Sequence, residues 1–476
     1  MAHGYLALVL HAHLPFVRHP EAPSYMEEEW LFEAITETYV PLLLVFERLL
    51  RDDVDYRLTL SMSPTLLSML TDDLLKERYA TKIDKLVELA ESEVDRTRND
   101  GRFHGLAQMY RDRFVRIRDY WRRYDGDLVH PLRGLQDAGK LEVITCTATH
   151  PFIPFMDRNW AAIRAQVHVA ADVYERAFGR RTQGMWLGEC GYVPGLDELL
   201  REENIRYFFL DTHGLLFADR RPVYGVHAPI YCPTGVAAFG RDVPSSRQVW
   251  SSKEGYPGDP DYRDFYRDIG FDLPIEYVRP YIHPDGIRTF TGVKYHAITH
   301  GALHNKNPYV PHVAWQRANA HAQHFLEQRE QQVRALRPQM DRPPIIVSPY
   351  DAELFGHWWY EGPIFLEMLL RKIHTDQGMI APITPSAYLH AHPTNQVATP
   401  AMSSWGAGGY GEYWCNQSNA WIYRHLHKMG ERMVELARRF SQADDLQRRV
   451  LNQAARELML AQASDWAFIM KSGTTV

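Results

Sequence analysis

YLALVLHAH, residues 5–13, is the clearest buried-strand pattern in the chain. It is apolar without a break from Tyr5 to Leu10 and then opens into His11 and His13. A half-buried strand or an amphipathic helix would interleave polar residues. An unbroken run this short fits a strand covered on both faces, as in a parallel sheet sandwiched by helices. The same form returns in YRLTLSMSP (56–64), LEVITCTATHP (141–151), MWLGECGY (185–192), RYFFLDTHG (206–214) and PPIIVSPYDAE (343–353). Each run ends in polar residues.

Helical patterns separate these runs. EEEWLFEAITETYVPLLLVFERLL (27–50) repeats apolar residues at helical spacing, and LLKERYATKIDKLVELAESEVDR (74–96) reads as a charged surface helix. WAAIRAQVHVAADVYERAFG (160–179) ends on a C-capping glycine, and GLDELLREENI (195–205) follows WLGECGY directly. Strand and helix in alternation give an α/β fold with parallel strands. Polar residues at the strand C-termini point to a barrel whose active face lies at that end. No glycine-rich phosphate turn follows an early strand, which sets an open dinucleotide-binding sheet aside.

Two regions interrupt the alternation. Residues at about 235–285 are rich in Gly, Pro, Asp and Tyr and read as an excursion over the active face. After SSWGAGGYGEYW (403–414) the chain turns helical. The expected division is a catalytic barrel over 1–395 and a C-terminal α-helical domain over 396–476.

Composition narrows the function. The 476 residues are 45% hydrophobic and 24% charged, ordinary for a globular protein, and the formal net charge is −6. No basic block marks a nucleic-acid footprint. The N-terminal apolar run lacks a basic flank and is too short to span a membrane. The four cysteines, Cys146, Cys190, Cys232 and Cys415, lack metal-site spacing and read as free thiols in a reducing cytoplasm.

Three constellations offer chemistry. His11 and His13 share one face of a strand, so both rings enter one site. Metal ligation, a metal-free site role and strand capping all fit that spacing, and His150 and His213, also at strand ends, do not pick out a metal. Glu189 stands at a strand exit between Gly188 and Gly191, which leave space for a ligand or a tight turn. SPYDAELFGHWWYEGP (348–363) places Asp351 and Glu353 after the strand IIVS and follows them with His357, Trp358, Trp359, Tyr360 and Glu361. A helix cap explains Glu361 well and Asp351 poorly. Two carboxylates from two strand ends can face each other across a glycosidic bond. Trp30, Trp405 and Trp414 add aromatic surface suited to sugar rings, and the glycine-rich run 406–411 favours a surface platform there.

These motifs, in this order and over essentially the whole chain, resemble glycoside hydrolase family 57, in particular its 1,4-α-glucan branching enzymes. HAHLP is similar to the family's first motif. WLGECGY is similar to the segment with the nucleophilic glutamate, which points to Glu189. SPYDAELFGHWWYEGP is similar to the segment with the acid/base aspartate, which points to Asp351. The resemblance implies substrate contacts at His11, His13, Trp30, His150, Arg241 in FGRD, Gly258 in GYPGDP, Trp405 in SSWG, Trp414 in YGEYW and Asp465 in SDWAF. It implies an incomplete seven-stranded (β/α) barrel, a retaining mechanism without metal or other cofactor, and α-glucan as the partner. Hydrolytic α-amylases and 4-α-glucanotransferases of the same family are the nearest alternatives, and a metal-dependent barrel hydrolase using His11 and His13 a more distant one. Relatives usually continue past SGTTV with another helix, so a further family contact is expected to be absent or replaced.

Overall fold

A computed structural model of the chain describes residues 2–251, 254–299 and 305–473. Ser252 and Lys253 of the excursion and the closing Thr474, Thr475 and Val476 lie outside the described residues. Among the described residues nine strands form one sheet: β1 (Gly4–Ala12), β2 (Leu58–Met62), β3 (Leu141–Cys146), β4 (Gly184–Trp186), β5 (Tyr207–Leu210), β6 (Ile230–Tyr231), β7 (Ala237–Gly240), β8 (Ile345–Asp351) and β9 (Ile380–Pro382). The order is β6-β7-β5-β4-β3-β2-β1-β8, with β9 also on β1. Of these described strands β6 alone runs antiparallel, so seven parallel strands, from β7 to β8, form the spine.

The spine curls until its ends meet. No ladder joins β7 to β8 among the described residues, yet the Asp242 N–H, just past β7, donates to Val347 O at 2.9 Å. This is the incomplete seven-stranded barrel that the motifs implied. Its interior is the reason the runs are unbroken. Ala7, Val9, Ile144, Trp186, Phe209, Phe239 and Val347 pack inside, while Leu6, Leu8, Leu10, Leu58 and Leu60 face the helices. Both faces of each strand are thereby withdrawn from water.

The excursion starts later than expected. Ala237–Gly240 is fully buried as β7, so AAFG belongs to the barrel, and the departure follows it and runs to the helix Pro311–Leu336. Between β2 and β3 an antiparallel pair of helices, Asp73–Arg96 and His104–Arg123, stands on the same side. The expected helix 27–50 is present but interrupted by a turn of π-helix, Ile35–Tyr39. Such turns insert one extra residue and gather at functional sites. Gly179 caps Trp160–Phe178 with φ 67°, as the sequence implied. The C-terminal helices are Trp421–Arg439, Asp445–Ala461 and Ser464–Ser472.

Candidate active site

The polar strand ends converge at one mouth of the barrel. Glu189 sits two residues past Leu187, in a 3-10 turn after the short strand β4. Its backbone is left-handed (φ 60°), as are those of Cys190 (φ 52°) and His150 (φ 57°). Each costs roughly 1–3 kcal/mol in a non-glycine residue and persists where its surroundings dictate it. Gly188 allows the turn. A Cβ there would lie 2.6 Å from Pro151 O, so the glycine serves close backbone approach rather than ligand space.

What holds Glu189 comes from the far end of the chain. Ser403 pairs with Tyr192 through both backbone bonds, and the Trp405 N–H donates to Glu189 O at 2.9 Å. The Trp405 indole Nε1–H then donates to Glu189 Oε2 at 2.6 Å. The Ser464 hydroxyl donates to Oε1 at 2.8 Å. Ser464 is itself anchored by its own N–H to His150 O at 2.9 Å. Burial pushes the Glu189 carboxyl up to about 7, against the two donors and the His13 charge, which pull it down.

Asp351 closes β8 in register with His11 on β1. Burial, with the Glu353 and Glu189 charges, pushes it up to about 8. Among the described residues no side chain or backbone N–H donates to its carboxylate. Glu353, two residues on, accepts from Tyr39 Oη at 2.5 Å and from the His13 N–H at 3.2 Å. Burial lifts Glu353 to about 7. The π-helical turn is what aims Tyr39 at it. That turn also aims Glu37 at Arg263 (3.4 Å) and His357 (3.3 Å), tying the excursion to the β8 exit. Glu361, expected to cap the helix Gly362–Thr375, does not cap it. It is fully buried and accepts the Arg263 N–H at 3.0 Å, a second tie to the excursion.

Three histidines stack beside the pair. His13 and His150 have ring centroids 3.9 Å apart, and His11 lies between His150 and Trp186 at 5.0 and 4.8 Å. His13 Nε2 meets Asp465 at 3.1 Å and Nδ1 meets Ser63 Oγ at 2.9 Å. Burial works to lower His13, but the Asp465 charge and hydrogen bond outweigh it and raise it. Burial and the neighbouring rings hold His11 and His150 well below the usual value, so both are neutral. His11, Cys146 and His150, and likewise His13, His150 and Asp465, bring donor atoms within 4.8 Å of one another. All six ring nitrogens nonetheless have hydrogen-bond partners within the chain, so a cation would have to displace them.

The remaining expected contacts divide. Arg241 lies near Asp351, acts to lower its carboxyl, and bonds Asp211 at 3.3 Å and Ser246 at 3.1 Å. Trp30 is half-buried against the core, and Gly258, itself exposed, ends a 3-10 turn, Tyr256–Gly258, that begins on the buried Tyr256. No hydrogen bond among the described residues joins either to the two carboxylates. Trp414 is corrected: it is 2% exposed and stacks on Phe152 at 5.1 Å, so it is core of the C-terminal junction and not an exposed platform. Ser464, Ser61, Ser63, Tyr39 and Glu353 were not singled out as site residues. The serines have no pattern signal, although Ser464 precedes Asp465 and Glu353 shares the Asp351 motif.

The profile of glycosyl hydrolase family 57 matches residues 7–402. The chain belongs to that family. The profile for the C-terminal part of 1,4-alpha-glucan branching enzymes matches residues 425–476. A 1,4-alpha-glucan branching enzyme of Thermococcus kodakarensis is 34% identical over 99% of this chain and 70% of its own length. Two solved structures align over 99% of the chain. A novel alpha-amylase from Thermotoga maritima is 46% identical at TM-score 0.93, with 89% of that chain covered. A branching enzyme of the same family from Pyrococcus horikoshii is 33% identical at TM-score 0.88, with 86% covered.

Proposed function

We propose that the chain is a 1,4-α-glucan branching enzyme. It cleaves an α-1,4 linkage and moves the released segment to a glucan 6-hydroxyl by retaining double displacement. The observation that carries the double-displacement chemistry is the contrast between two part-buried carboxylates. Glu189 receives two hydrogen bonds, from Trp405 and Ser464, whereas Asp351 receives none among the described residues and stands against Glu353. Hydrogen bonds to a carboxylate favour its ionised form, and burial beside like charge favours the protonated one. Paired titratable groups pushed apart in this way divide into acid and nucleophile.

The steps follow from that division. The Glu189 carboxylate attacks C1 of the bound glucose while Asp351 gives its proton to the departing glycosidic oxygen. A glucosyl ester on Glu189 results. The ionised Asp351 then takes the proton of an incoming 6-hydroxyl as that oxygen attacks C1, releasing Glu189 and returning Asp351 to its acid form. With water in place of the hydroxyl the same steps are hydrolysis. Arg241, Trp405, His13 and Asp465 rim the reacting carboxylates and are assigned to substrate.

The branching reading draws on the 34% identical relative and on the C-terminal match over residues 425–476. The hydrolytic reading draws on the 46% identical structure named an α-amylase. Incubation with amylose separates them. Branching predicts new α-1,6 signals by proton NMR with few new reducing ends; reducing ends without branches would make the chain an amylase. The site is read as metal-free, and stoichiometric zinc with chelator-sensitive activity would overturn that. Amylose-like or glycogen-like chains in the cytoplasm are the proposed setting. It is supported by four unpaired cysteines and by the finding that no described helix is long and apolar enough to cross a membrane.

A further inference from the structure

The directions of the hydrogen bonds behind Glu189 can be worked out one by one. An ionised carboxylate only accepts, so the Ser464 hydroxyl proton points to Glu189 Oε1 at 2.8 Å. That proton is then committed. The Ser464 oxygen also lies 2.8 Å from His150 Nδ1, so Nδ1 bears the hydrogen and donates. His150 is neutral, which leaves its Nε2 bare. His11 Nε2, 3.0 Å away, is therefore the donor there. His11 is neutral as well, so its Nδ1 accepts, and Ser61 Oγ at 3.1 Å donates. One tautomer for each ring satisfies every contact along this path, with the Ser61 hydroxyl given to His11 rather than to the Thr145 carbonyl at 3.5 Å.

The outcome is a single file, Ser61 to His11 to His150 to Ser464 to Glu189, with every donor pointing the same way. All four residues behind Glu189 are at most 3% exposed. Aligned hydrogen bonds polarise one another, more so where water is excluded. The file crosses from β2 through β1 and the turn after β3 to the last described helix, Ser464–Ser472, before it reaches the nucleophile.

We propose that Ser464 is a positioning residue for the reaction: it relays the polarisation of the two buried histidines to Glu189 and fixes its carboxylate for attack. Catalysis then depends on the docking of the C-terminal helix, because the last donor in the file belongs to it. The inference rests on Glu189 being the nucleophile.

The test uses the full chain in the variants Ser464→Ala, Ser464→Thr, Ser61→Ala and Glu189→Gln. Loss of one hydrogen bond to a charged group corresponds to about 10- to 100-fold. For Ser464→Ala the expected result is a fall of that size in kcat with KM within about twofold. The acid limb of kcat/KM should move to higher pH, because a carboxylate stripped of a donor ionises less readily. The groups facing Glu189 are Trp405, Ser464, His150, His13, Asp465, Asp351, Cys146, Cys190 and Tyr423, and only the Ser464 hydroxyl is changed. Ser464→Thr keeps the hydroxyl and should restore most of kcat. Ser61→Ala, at the far end, should move the same limb the same way by less. A Ser464→Ala enzyme with wild-type kcat and an unmoved limb, beside an inactive Glu189→Gln, would overturn the relay and leave the nucleophile standing. So would a Ser464→Thr enzyme as slow as Ser464→Ala. An active Glu189→Gln would overturn the functional reading itself.

Discussion

Two strand exits of one barrel present a carboxylate to the same mouth, and they are built in opposite ways. After β4 the chain makes a tight left-handed turn, and Glu189 is gripped by Trp405 and Ser464 from the C-terminal region. At the end of β8 the backbone is ordinary extended strand (φ −65°, ψ 132° at Asp351), no donor reaches the Asp351 side chain among the described residues, and Glu353 stands beside it. Burial is the largest cause pushing both carboxyls up. Donors separate them, by restraining one at about 7 while the other, crowded by charge, reaches about 8. Similar partial burial with different hydrogen bonding and neighbouring charge separates a nucleophile from a proton donor.

Removing either carboxylate breaks the comparison outright. Glu189→Gln and Asp351→Asn should each lower kcat on amylose by at least about 10³-fold. The two should then part company on a donor with an activated leaving group. Asp351→Asn recovers much of its rate, since that departure needs no proton, and Glu189→Gln does not. Steady-state kinetics on both donors checks this.

Loosening the grip on Glu189 is the next largest change. Trp405→Phe keeps the ring and loses the Nε1–H, and should cost about 10- to 100-fold in kcat, since a hydrogen bond to a charged group contributes roughly 1.5–3 kcal/mol. Stopped assays at saturating amylose measure it.

The pH profile sharpens the comparison further. Activity requires Glu189 ionised, which holds above about 7, and Asp351 protonated, which holds below about 8. The kcat/KM profile should be a narrow bell between those limits. Glu353→Gln removes a like charge from beside Asp351, lowers its pKa, and should draw the alkaline limb to lower pH while leaving the acid limb in place.

The smallest effect is structural. Gly188→Ala forces a methyl to within 2.6 Å of Pro151 O, which must yield. A lowered melting temperature, equivalent to about 1–3 kcal/mol, should follow in a thermal scan.

Sequence alone located both exits, and the reason is physical. A parallel strand buried on both faces must be apolar throughout, so its end is visible as the point where polar residues resume. His11, Glu189 and Asp351 were found in that way. What failed was whatever depended on partners far along the chain. AAFG looked like part of a glycine-rich excursion because a run of four residues is too short to show periodicity, yet it is β7. Trp414 looked exposed because glycines precede it; its burial comes from Phe152, more than 250 residues earlier. The π-helical turn left the helical spacing of 27–50 nearly intact, so nothing signalled that Tyr39 would reach Glu353. Ser464 is an ordinary serine until the fold brings it to Glu189.

The central claim is that Glu189, and not its counterpart on β8, takes the sugar. A fluorinated glucosyl donor that loads quickly and turns over slowly should trap the ester, and proteolysis with mass spectrometry locates it. The predicted result is one added sugar on the peptide containing WLGECGY, lost in Glu189→Gln. Sugar on the peptide containing Asp351 or Glu353, or no adduct while products retain turnover, would contradict the account.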